Sequence, residues 1–331
     1  MTEATTRGYA PAGDFVRLTS DEPLVFELAG RLWEPAAPND LTDAIAIEVR
    51  RAWKGRAEAS GSPQRNAIPF TYEKEQRWVH EAHQFFCEVP GVLDLTIEFA
   101  RARVDARIAP ALSLQCSKTS LFPPSTSLLS FLARTLLEAP AAVLLGRRGW
   151  QVLHAGAVVG PRGAAVVRGP SGAGKSTLVA AARSSGLGLL GDESLFVSRK
   201  DPDVLAASVR DLALREDSAR LLGIFSATEP AFTGREKKCR VDLFNGSSPR
   251  DRSARRVASV LLGPRDPGPA RLVPLSGPEF LESFRAGEIP QERSPGDPEA
   301  AARAWASDGG WLLSGATDLE GAVQLLKGLV T

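Results

Sequence analysis

The sequence of 331 residues is poor in cysteine, almost balanced in charge and free of long hydrophobic runs. Its three scattered cysteines predict no disulfide framework and favour a reducing, cytoplasmic compartment. With 40 Lys and Arg against 39 Asp and Glu, the net charge of +1 argues against a nucleic-acid-coating protein. No apolar run approaches the roughly 20 residues that span a bilayer, and the N-terminus lacks a signal-peptide pattern. We therefore expect a globular protein that binds neither membranes nor nucleic acid.

The chain length and a change in the sequence pattern near residue 140 predict two domains, 1–140 and 141–331. Short apolar stretches at 25–33, 44–49 and 70–79 are typical of strands. Within 93–108 the alternation of apolar residues changes parity, which predicts a bulge or tight turn near Ala100. A helix is expected from Ser127 to just before Pro140. The first domain is thus expected to be a strand-rich accessory domain that caps the site or presents substrate.

The second domain alternates strands with helices, which predicts an α/β fold. Strands are expected at 152–159, 164–168, 187–190, 195–197, 257–262 and 271–275. Asp297 and Pro298 are predicted to start a short helix that closes before Gly309. Thr317 and Glu320 have capping-box spacing for a last helix that reaches Lys327.

A phosphate-binding loop is the clearest motif of the chain. Residues 169–176 fit G-x-x-x-x-G-K-S and lie between a predicted strand and a predicted helix that finishes at Gly186. Lys175 would supply a charge to the β- and γ-phosphates of ATP, and Ser176 a hydroxyl to Mg²⁺. The predicted nucleotide-binding residues are Gly169, Pro170, Ser171, Gly172, Ala173, Gly174, Lys175, Ser176 and Thr177.

A short predicted strand follows the loop and its helix, and two carboxylates come directly after that strand. If that strand runs parallel to the strand before the loop, Asp192 and Glu193 lie at the edge of the phosphate site. One would accept the proton of an attacking hydroxyl and the other would hold Mg²⁺, with the assignment between them open. His154, on the strand before the loop strand, is a further candidate for the site, and a core histidine is the alternative.

A local excess of positive charge lies between residues 235 and 256, where eight basic residues accompany three acids. Such cations can neutralise charge on a transferred phosphoryl group or attract an acidic substrate. Lys238 and Arg240 are the preferred pair. The basic residues are Arg235, Lys237, Lys238, Arg240, Arg250, Arg252, Arg255 and Arg256.

These residues resemble the HPr kinase-like proteins over roughly 140–290. The sequence Leu-His-Ala-Gly-Ala-Val from 153 to 158, the loop, the Gly-Asp-Glu at 191–193 and the Lys-Lys-Cys-Arg-Val-Asp-Leu at 237–243 are similar to the HPr kinase-related branch. Thr177 and Glu193 differ from the HPr kinase/phosphorylases themselves. Members of the related branch are associated with serine phosphorylation of ribosomally made peptides.

The resemblance implies a P-loop kinase core with a mixed sheet, related to phosphoenolpyruvate carboxykinase, that uses Mg-ATP to phosphorylate a hydroxyl. It implies Asp192 as general base, Glu193 as a metal-side carboxylate and His154 as a site residue. The acceptor is then a Ser or Thr of a peptide or protein, and a homo-oligomeric assembly is left open. A small-molecule kinase and a non-catalytic nucleotide-binding scaffold are the alternatives.

Overall fold

A computed structural model describes residues 4–11, 14–37, 42–50, 77–80, 84–89, 93–108, 132–207, 212–223, 238–241, 253–264, 266–287, 298–315 and 317–331. The chain divides into two compact units, residues 1–10 with 14–144 and residues 11–13 with 145–331. Among the described residues, no helix is both long and apolar enough to cross a membrane.

The first unit is strand-rich and is built on a mixed sheet. Its described strands are β1 (Thr5–Ala10), β2 (Val16–Ser20), β3 (Glu34–Pro35), β4 (Ile45–Arg50), β5 (Arg77–His80), β6 (Gln84–Val89), β7 (Leu93–Glu98) and β8 (Arg103–Ile108). The order across the sheet is β3-β1-β2-β4-β8-β7-β6-β5. Strand β4 runs parallel to both β2 and β8, and the other pairs are antiparallel.

One expected strand of this unit is a helix. Residues 25–33 contribute most of α1 (Pro23–Leu32), with Pro23 in the first turn. The strand prediction is wrong because Val, Phe and Trp are typical of strands, whereas the spacing of the apolar residues here is helical. The buried residues recur at i, i+3, i+4 and i+7, namely Val25, Leu28, Ala29 and Leu32.

The parity change in 93–108 is confirmed as a turn. Strands β7 and β8 form an antiparallel hairpin with residues 99–102 between them, and Ala102 takes a left-handed φ of 46°. The expected helix end before Pro140 is wrong, and Ser127 lies outside the described residues. A π-helical turn at Arg134–Glu138 continues into α2 (Ala139–Arg147), so the helix passes through Pro140. Ala139 N–H donates to Arg134 O, a five-residue step that loosens the backbone ladder just before the proline ring.

The second unit carries the remaining described elements. Its strands are β9 (Trp150–Leu153), β10 (Ala155–Gly160), β11 (Gly163–Arg168), β12 (Gly188–Gly191), β13 (Leu195–Ser198), β14 (Val204–Ala207), β15 (Leu212–Arg215), β16 (Lys238–Val241), β17 (Ser253–Leu262), β18 (Arg271–Leu275) and β19 (Gly310–Ser314). Its helices are α3 (Lys175–Ser184), α4 (Glu216–Leu221), α5 (Gly277–Ala286), α6 (Pro298–Ala306) and α7 (Leu319–Val330).

The main sheet of this unit is mixed, which confirms the α/β expectation at that level. Strands follow the order β12-β10-β11-β17, and β11, β17 and β19 run parallel to one another. The long strand β17 pairs with β14 through its first residues and with β19 through its last. Strands β15 and β16 form a separate two-stranded ribbon.

The sheet has a core on each face, because successive side chains of a strand point to opposite sides. Val167 and Val260 pack with α3 and α7 on one face. Val166 and Leu261 pack with α5 and α6 on the other, beneath Trp305. The sheet is therefore covered on both faces, so a ligand can enter at the carboxyl ends of its parallel strands.

Two further expectations need correction. The single strand predicted at 152–159 is two strands that break at His154, because β9 pairs with β13 whereas β10 pairs with β11. The last helix is capped by Asp318 in place of Thr317, and it continues past Lys327. Asp318 accepts hydrogen bonds from Gly321 N at 2.9 Å and Ala270 N at 3.0 Å, so a contact with a distant segment selects the cap. Asp297 lies outside the described residues, and α6 ends before Gly309 as predicted.

Candidate active site

The phosphate-binding loop occupies the turn between β11 and α3, as its motif requires. Gly172 and Gly174 take left-handed φ angles of 81° and 100°, which L side chains adopt only under strain. A Cβ on Gly169 would lie 2.9 Å from Leu262 Cβ, so the loop begins in close contact with the end of β17. Glycine is thus required at these positions by backbone geometry and by packing.

Lys175 is the first residue of α3 and is 6 % exposed. Its ammonium donates to the carbonyl oxygens of Gly169 at 2.8 Å and of Pro170 at 3.2 Å. A buried ammonium needs such partners, since removal of a charge from water is costly. The loop backbone therefore encloses the Lys175 ammonium at the N-terminus of α3. Both the charge of the lysine and the dipole of the helix favour an anion at this place.

The two residues after Lys175 have different surroundings. Ser176 and Thr177 both line a cavity of about 510 Å³ that opens over the loop. The Thr177 hydroxyl also donates to Ser218 Oγ at 2.8 Å and so joins α3 to α4. Of the nine predicted nucleotide-binding residues, seven, from Ser171 to Thr177, line this cavity.

The two acids lie at the same sheet edge as the loop. Strands β11 and β12 are both antiparallel to β10, so they run in one direction and end at one edge. Asp192 is 3 % exposed. A Cβ on Gly156 would stand 2.8 Å from Val179 Cγ2 and 3.5 Å from Asp192 Oδ1, so the carboxylate and the middle of α3 share one face of β10. Asp192 itself is not among the described residues that line the cavity.

Glu193 and His154 form the rim of the cavity on this side. Both side chains line it, and His154 Nδ1 lies 3.1 Å from the Glu193 carbonyl oxygen. Because a carbonyl oxygen only accepts, Nδ1 carries the hydrogen in this contact. Glu193 has a left-handed φ of 64°, one of two such non-glycine residues in the described part of the chain. Strain of this kind is concentrated at functional sites.

The described basic residues of the run from 235 to 256 lie in two strands, β16 and β17. Arg256 is buried and pairs with Asp203 at 2.8 Å and Asp308 at 2.7 Å, and Arg255 pairs with Asp201 at 2.7 Å, so these two cations hold β17 in place. Lys238 and Arg240 belong to β16, where the register sets Lys238 opposite Arg215 and Arg240 opposite Ala213. The other basic residues of the run, Arg235, Lys237, Arg250 and Arg252, lie outside the described residues.

Arg215 is a site residue that the sequence did not indicate. It is exposed, it lines the cavity, and its Nη2 would lie 3.7 Å from a Cβ on Gly172. Its guanidinium therefore lies beside Gly172 of the phosphate loop. The available signal was the alternation of Leu212 and Leu214, which are buried beside α3, with the exposed position 215 one residue further along the strand.

The opposite flank of the cavity is apolar. Leu262 ends β17, Leu313 lies in β19, and Leu319 and Ala322 belong to the first turn of α7. We call these four residues the apolar flank. They had no sequence motif, and the sheet order alone brings them to the phosphate loop.

No cluster of three His, Cys, Asp or Glu side chains that could hold a metal ion occurs among the described residues. Comparison with models of known protein families finds no match to this chain, and a search of curated proteins finds none.

Proposed function

We propose that the chain is a Mg-ATP-dependent kinase of the HPr kinase-like class that transfers the γ-phosphoryl group to a hydroxyl. The supporting observation is that a G-x-x-x-x-G-K-S loop with a buried lysine and a pair of carboxylates share one sheet edge. Phosphoryl transfer needs positioned phosphates, a metal ion and a group that orients the attacking hydroxyl. This edge offers candidates for each.

The oxygen donors near the loop fit Mg²⁺. The ion takes one or two carboxylates, keeps several waters and binds substrate phosphates, so it needs no dedicated cage of protein ligands. Ser176, Glu193 and Asp192 would hold it between them, and the ion would neutralise charge on the phosphates. Gly156, which has no side chain, leaves room for the Asp192 carboxylate beneath α3.

Asp192 is proposed as the general base and His154 as a residue that orients the acceptor. Asp192 is buried on the face of β10 that carries α3, and it directly precedes Glu193, which lines the cavity; a carboxylate is a suitable group to accept the proton of a hydroxyl. Arg215, with Lys238 and Arg240 on the paired strand, is proposed to stabilise the charge of the transferred group.

The acceptor proposed is a Ser or Thr of a peptide or protein, in a cytoplasmic setting, with the strand-rich first unit in an accessory role. The cations of the β15–β16 ribbon, Arg215, Lys238 and Arg240, favour an acidic segment near the site, since clustered cations steer anionic substrates. A small metabolite is the alternative acceptor, and a nucleotide-binding scaffold without transfer is the alternative from another class.

The test is transfer of label from γ-labelled ATP with Mg²⁺ into size-fractionated extract of the source cells. Wild type is expected to label a peptide or protein fraction, and Asp192→Asn to lose roughly 10²-fold or more of that label. Asp201→Asn, an exposed carboxylate paired with Arg255, is the matched control and should transfer normally. Label confined to small molecules would replace the protein acceptor with a metabolite.

ATP binding is measured alongside, because it separates a scaffold from an inactive preparation. Lys175→Ala is expected to weaken Mg-ATP binding by roughly 10- to 100-fold, since it removes a charged hydrogen bond to phosphate. Lys200→Ala, exposed in a turn, should bind as wild type does. ATP binding without label in any fraction would favour the scaffold, and unchanged affinity of Lys175→Ala would overturn the loop assignment.

A further inference from the structure

A buried arginine directly precedes the phosphate loop, on the face of the sheet away from α3. Arg168 is the last residue of β11, and its side chain is 0 % exposed. The side chains of Ala164 and Val166 lie in the core under α5 and α6, and position 168 follows the same alternation along the strand. The pattern of β11 predicts an apolar residue at this place, because burial of a charged group is costly without specific partners.

Arg168 contacts the C-terminal end of α5. Its Nε donates to the carbonyl oxygen of Phe284 at 3.0 Å, and its guanidinium carbon lies 4.0 Å from the centre of the Phe284 ring. Phe284 belongs to the last turn of α5 (Gly277–Ala286), where the helix dipole favours a cation. The arginine therefore makes a hydrogen bond, a cation–π contact and a favourable dipole contact with one helix end.

The same helix end also packs against the backbone of the loop. Gly287 follows α5 as its cap, and a Cβ there would lie 3.2 Å from both Gly169 N and Gly169 C and 3.1 Å from Arg168 Cγ. Gly287 N donates to Phe284 O at 3.2 Å, so this carbonyl oxygen accepts from the cap as well as from Arg168. The Gly169 carbonyl oxygen in turn accepts from the Lys175 ammonium at 2.8 Å. A continuous series of contacts thus joins the end of α5 to the lysine of the loop.

We infer that Arg168 is a positioning residue that sets the phosphate affinity of the loop from the α5 face of the sheet. The inference rests on the phosphate-binding part of the proposed function and is independent of phosphoryl transfer. Neither Arg168 nor Gly287 is among the described residues that line the cavity, so both act on a bound phosphate through the backbone of Gly169. Close-packed protein interiors transmit strain, so a displaced helix end displaces the loop that it touches. Because coupling between two sites is reciprocal, phosphate bound at the loop also stabilises the end of α5.

The first test removes the charge of Arg168 and keeps an unbranched side chain. Arg168→Met is expected to lower the affinity for inorganic tripolyphosphate and for ATP by about tenfold each, since coupling of this kind is commonly of that size. Isothermal titration measures both ligands. Arg256→Met is the matched control, because Arg256 is also buried, lies 5.1 Å from the ring centre of Trp305 and pairs in register with Ala164, away from the loop. It should bind both ligands as wild type does.

A second variant changes the same contact from the helix side and leaves the charge unaltered. Gly287→Ala is expected to displace the Gly169 backbone and to lower both affinities by about tenfold as well. Gly287 has a φ of −91°, outside the left-handed region that favours glycine, so the effect reports the contact with the loop and not a strained backbone. Gly328→Ala is the control, since a Cβ on this exposed helical glycine meets nothing within 4 Å. This pair decides the question even if Arg168→Met does not fold.

Hydrogen exchange separates a positioning residue from one that acts only on folding or only through its charge. Saturating tripolyphosphate is expected to slow exchange of the Gly287 amide in wild type and to have no such effect in Arg168→Met. A purely electrostatic arginine would change the affinity without any link between the ligand and this amide. An arginine needed only for folding would lower the urea midpoint and leave the affinity of the folded fraction unchanged.

The outcomes distinguish this inference from the proposed function. Wild-type affinity in folded Arg168→Met or in Gly287→Ala, or a Gly287 amide whose exchange ignores the ligand, would overturn the inference and leave the phosphate loop standing. A wild-type protein that binds neither tripolyphosphate nor ATP would overturn both. Binding with the expected pattern but without phosphoryl transfer would retain the positioning role of Arg168 and remove the kinase assignment.

Discussion

The Thr177 hydroxyl donates a 2.8 Å hydrogen bond to Ser218 Oγ, and this contact ties the helix of the phosphate loop to the short helix α4. Ser218 N in turn donates to Asp217 Oδ1 at 2.8 Å. Arg215 directly precedes α4, so the same link sets the position of the cation beside the loop. Thr177, the last residue of the G-K-S-T end of the motif, is thus a positioning residue that acts through a hydroxyl pair.

Thr177→Val removes the donor and keeps the shape of the side chain. It should lower the free energy of unfolding by about 1 kcal/mol, since it breaks one part-buried hydrogen bond. Urea unfolding of Thr177→Val, Ser218→Ala and the double variant measures the coupling between the two hydroxyls. Thr177→Ser, which keeps the donor, is the control, and strictly additive losses would contradict a direct contact.

Arg215→Gln is expected to weaken ATP binding roughly tenfold, because a charge-assisted hydrogen bond to phosphate is lost. The loss should be larger for ATP than for ADP if the guanidinium faces the terminal phosphate. Isothermal titration with the two nucleotides measures this difference. Arg220→Gln is the matched control, an exposed arginine of α4 that pairs with Glu216. Equal effects of the two substitutions would reduce the role of Arg215 to general surface charge.

Glu193 combines a carboxylate that is proposed to hold Mg²⁺ with a strained backbone, and two substitutions separate these two properties. Glu193→Gly relieves the left-handed φ of 64° and should raise the free energy of unfolding by about 1 kcal/mol. Glu193→Gln keeps the backbone cost and should leave stability near that of wild type. Both variants lose the carboxylate, so both should show reduced Mg-dependent transfer. A destabilised glycine variant would show that the conformation at residue 193 carries no strain.

Asp318 makes folding stability depend on pH at the start of α7. Hydrogen bonds from the backbone N–H groups of Ala270 and Gly321 hold the pKa of this carboxyl below its ordinary value. A lowered folded-state pKa means that ionised Asp318 stabilises the protein at neutral pH. That contribution is lost as the pH falls below the unfolded-state pKa and through the folded one.

Asp318→Asn should therefore lower the urea midpoint at pH 7 and have a smaller effect near pH 3. Asp266→Asn, in an exposed turn nearby, serves as the comparison. A loss that is the same at both pH values would assign the effect to helix capping alone, without a contribution from the charge.

Local sequence patterns predicted several elements in both units. The phosphate loop, α3 and its end near Gly186 follow from glycine spacing and apolar periodicity, which act over a few residues and need no distant partner. The hairpin of β7 and β8 follows equally from the change of parity in their alternation. By contrast, α1 shows that residue type can mislead when spacing indicates another structure.

Distant contacts decided the rest. An otherwise apolar run divides into two strands at His154, because the chain exchanges one sheet partner for another there, and no local property of 152–159 encodes those partners. Arg215 and Lys238 are neighbours through the pairing of two strands far apart in sequence. The role of Arg256 as a buried ion-pair partner likewise depends on Asp203 and Asp308, which it meets only in the folded chain.

The sequence by itself determined the tight glycine turn between β11 and α3 that predicts a phosphate site, because a backbone that must turn with its N–H groups inward requires glycine at set positions. It also placed two carboxylates one short strand later. Only the tertiary structure decided what stands on either side of that loop. The parallel run of β11, β17 and β19 brings aliphatic residues with no motif to one flank, and the pairing of β10 with β11 and β12 sets the acids on the other. Apolar burial is non-directional, so a leucine carries no local sign of the ligand it will face until the sheet order is set.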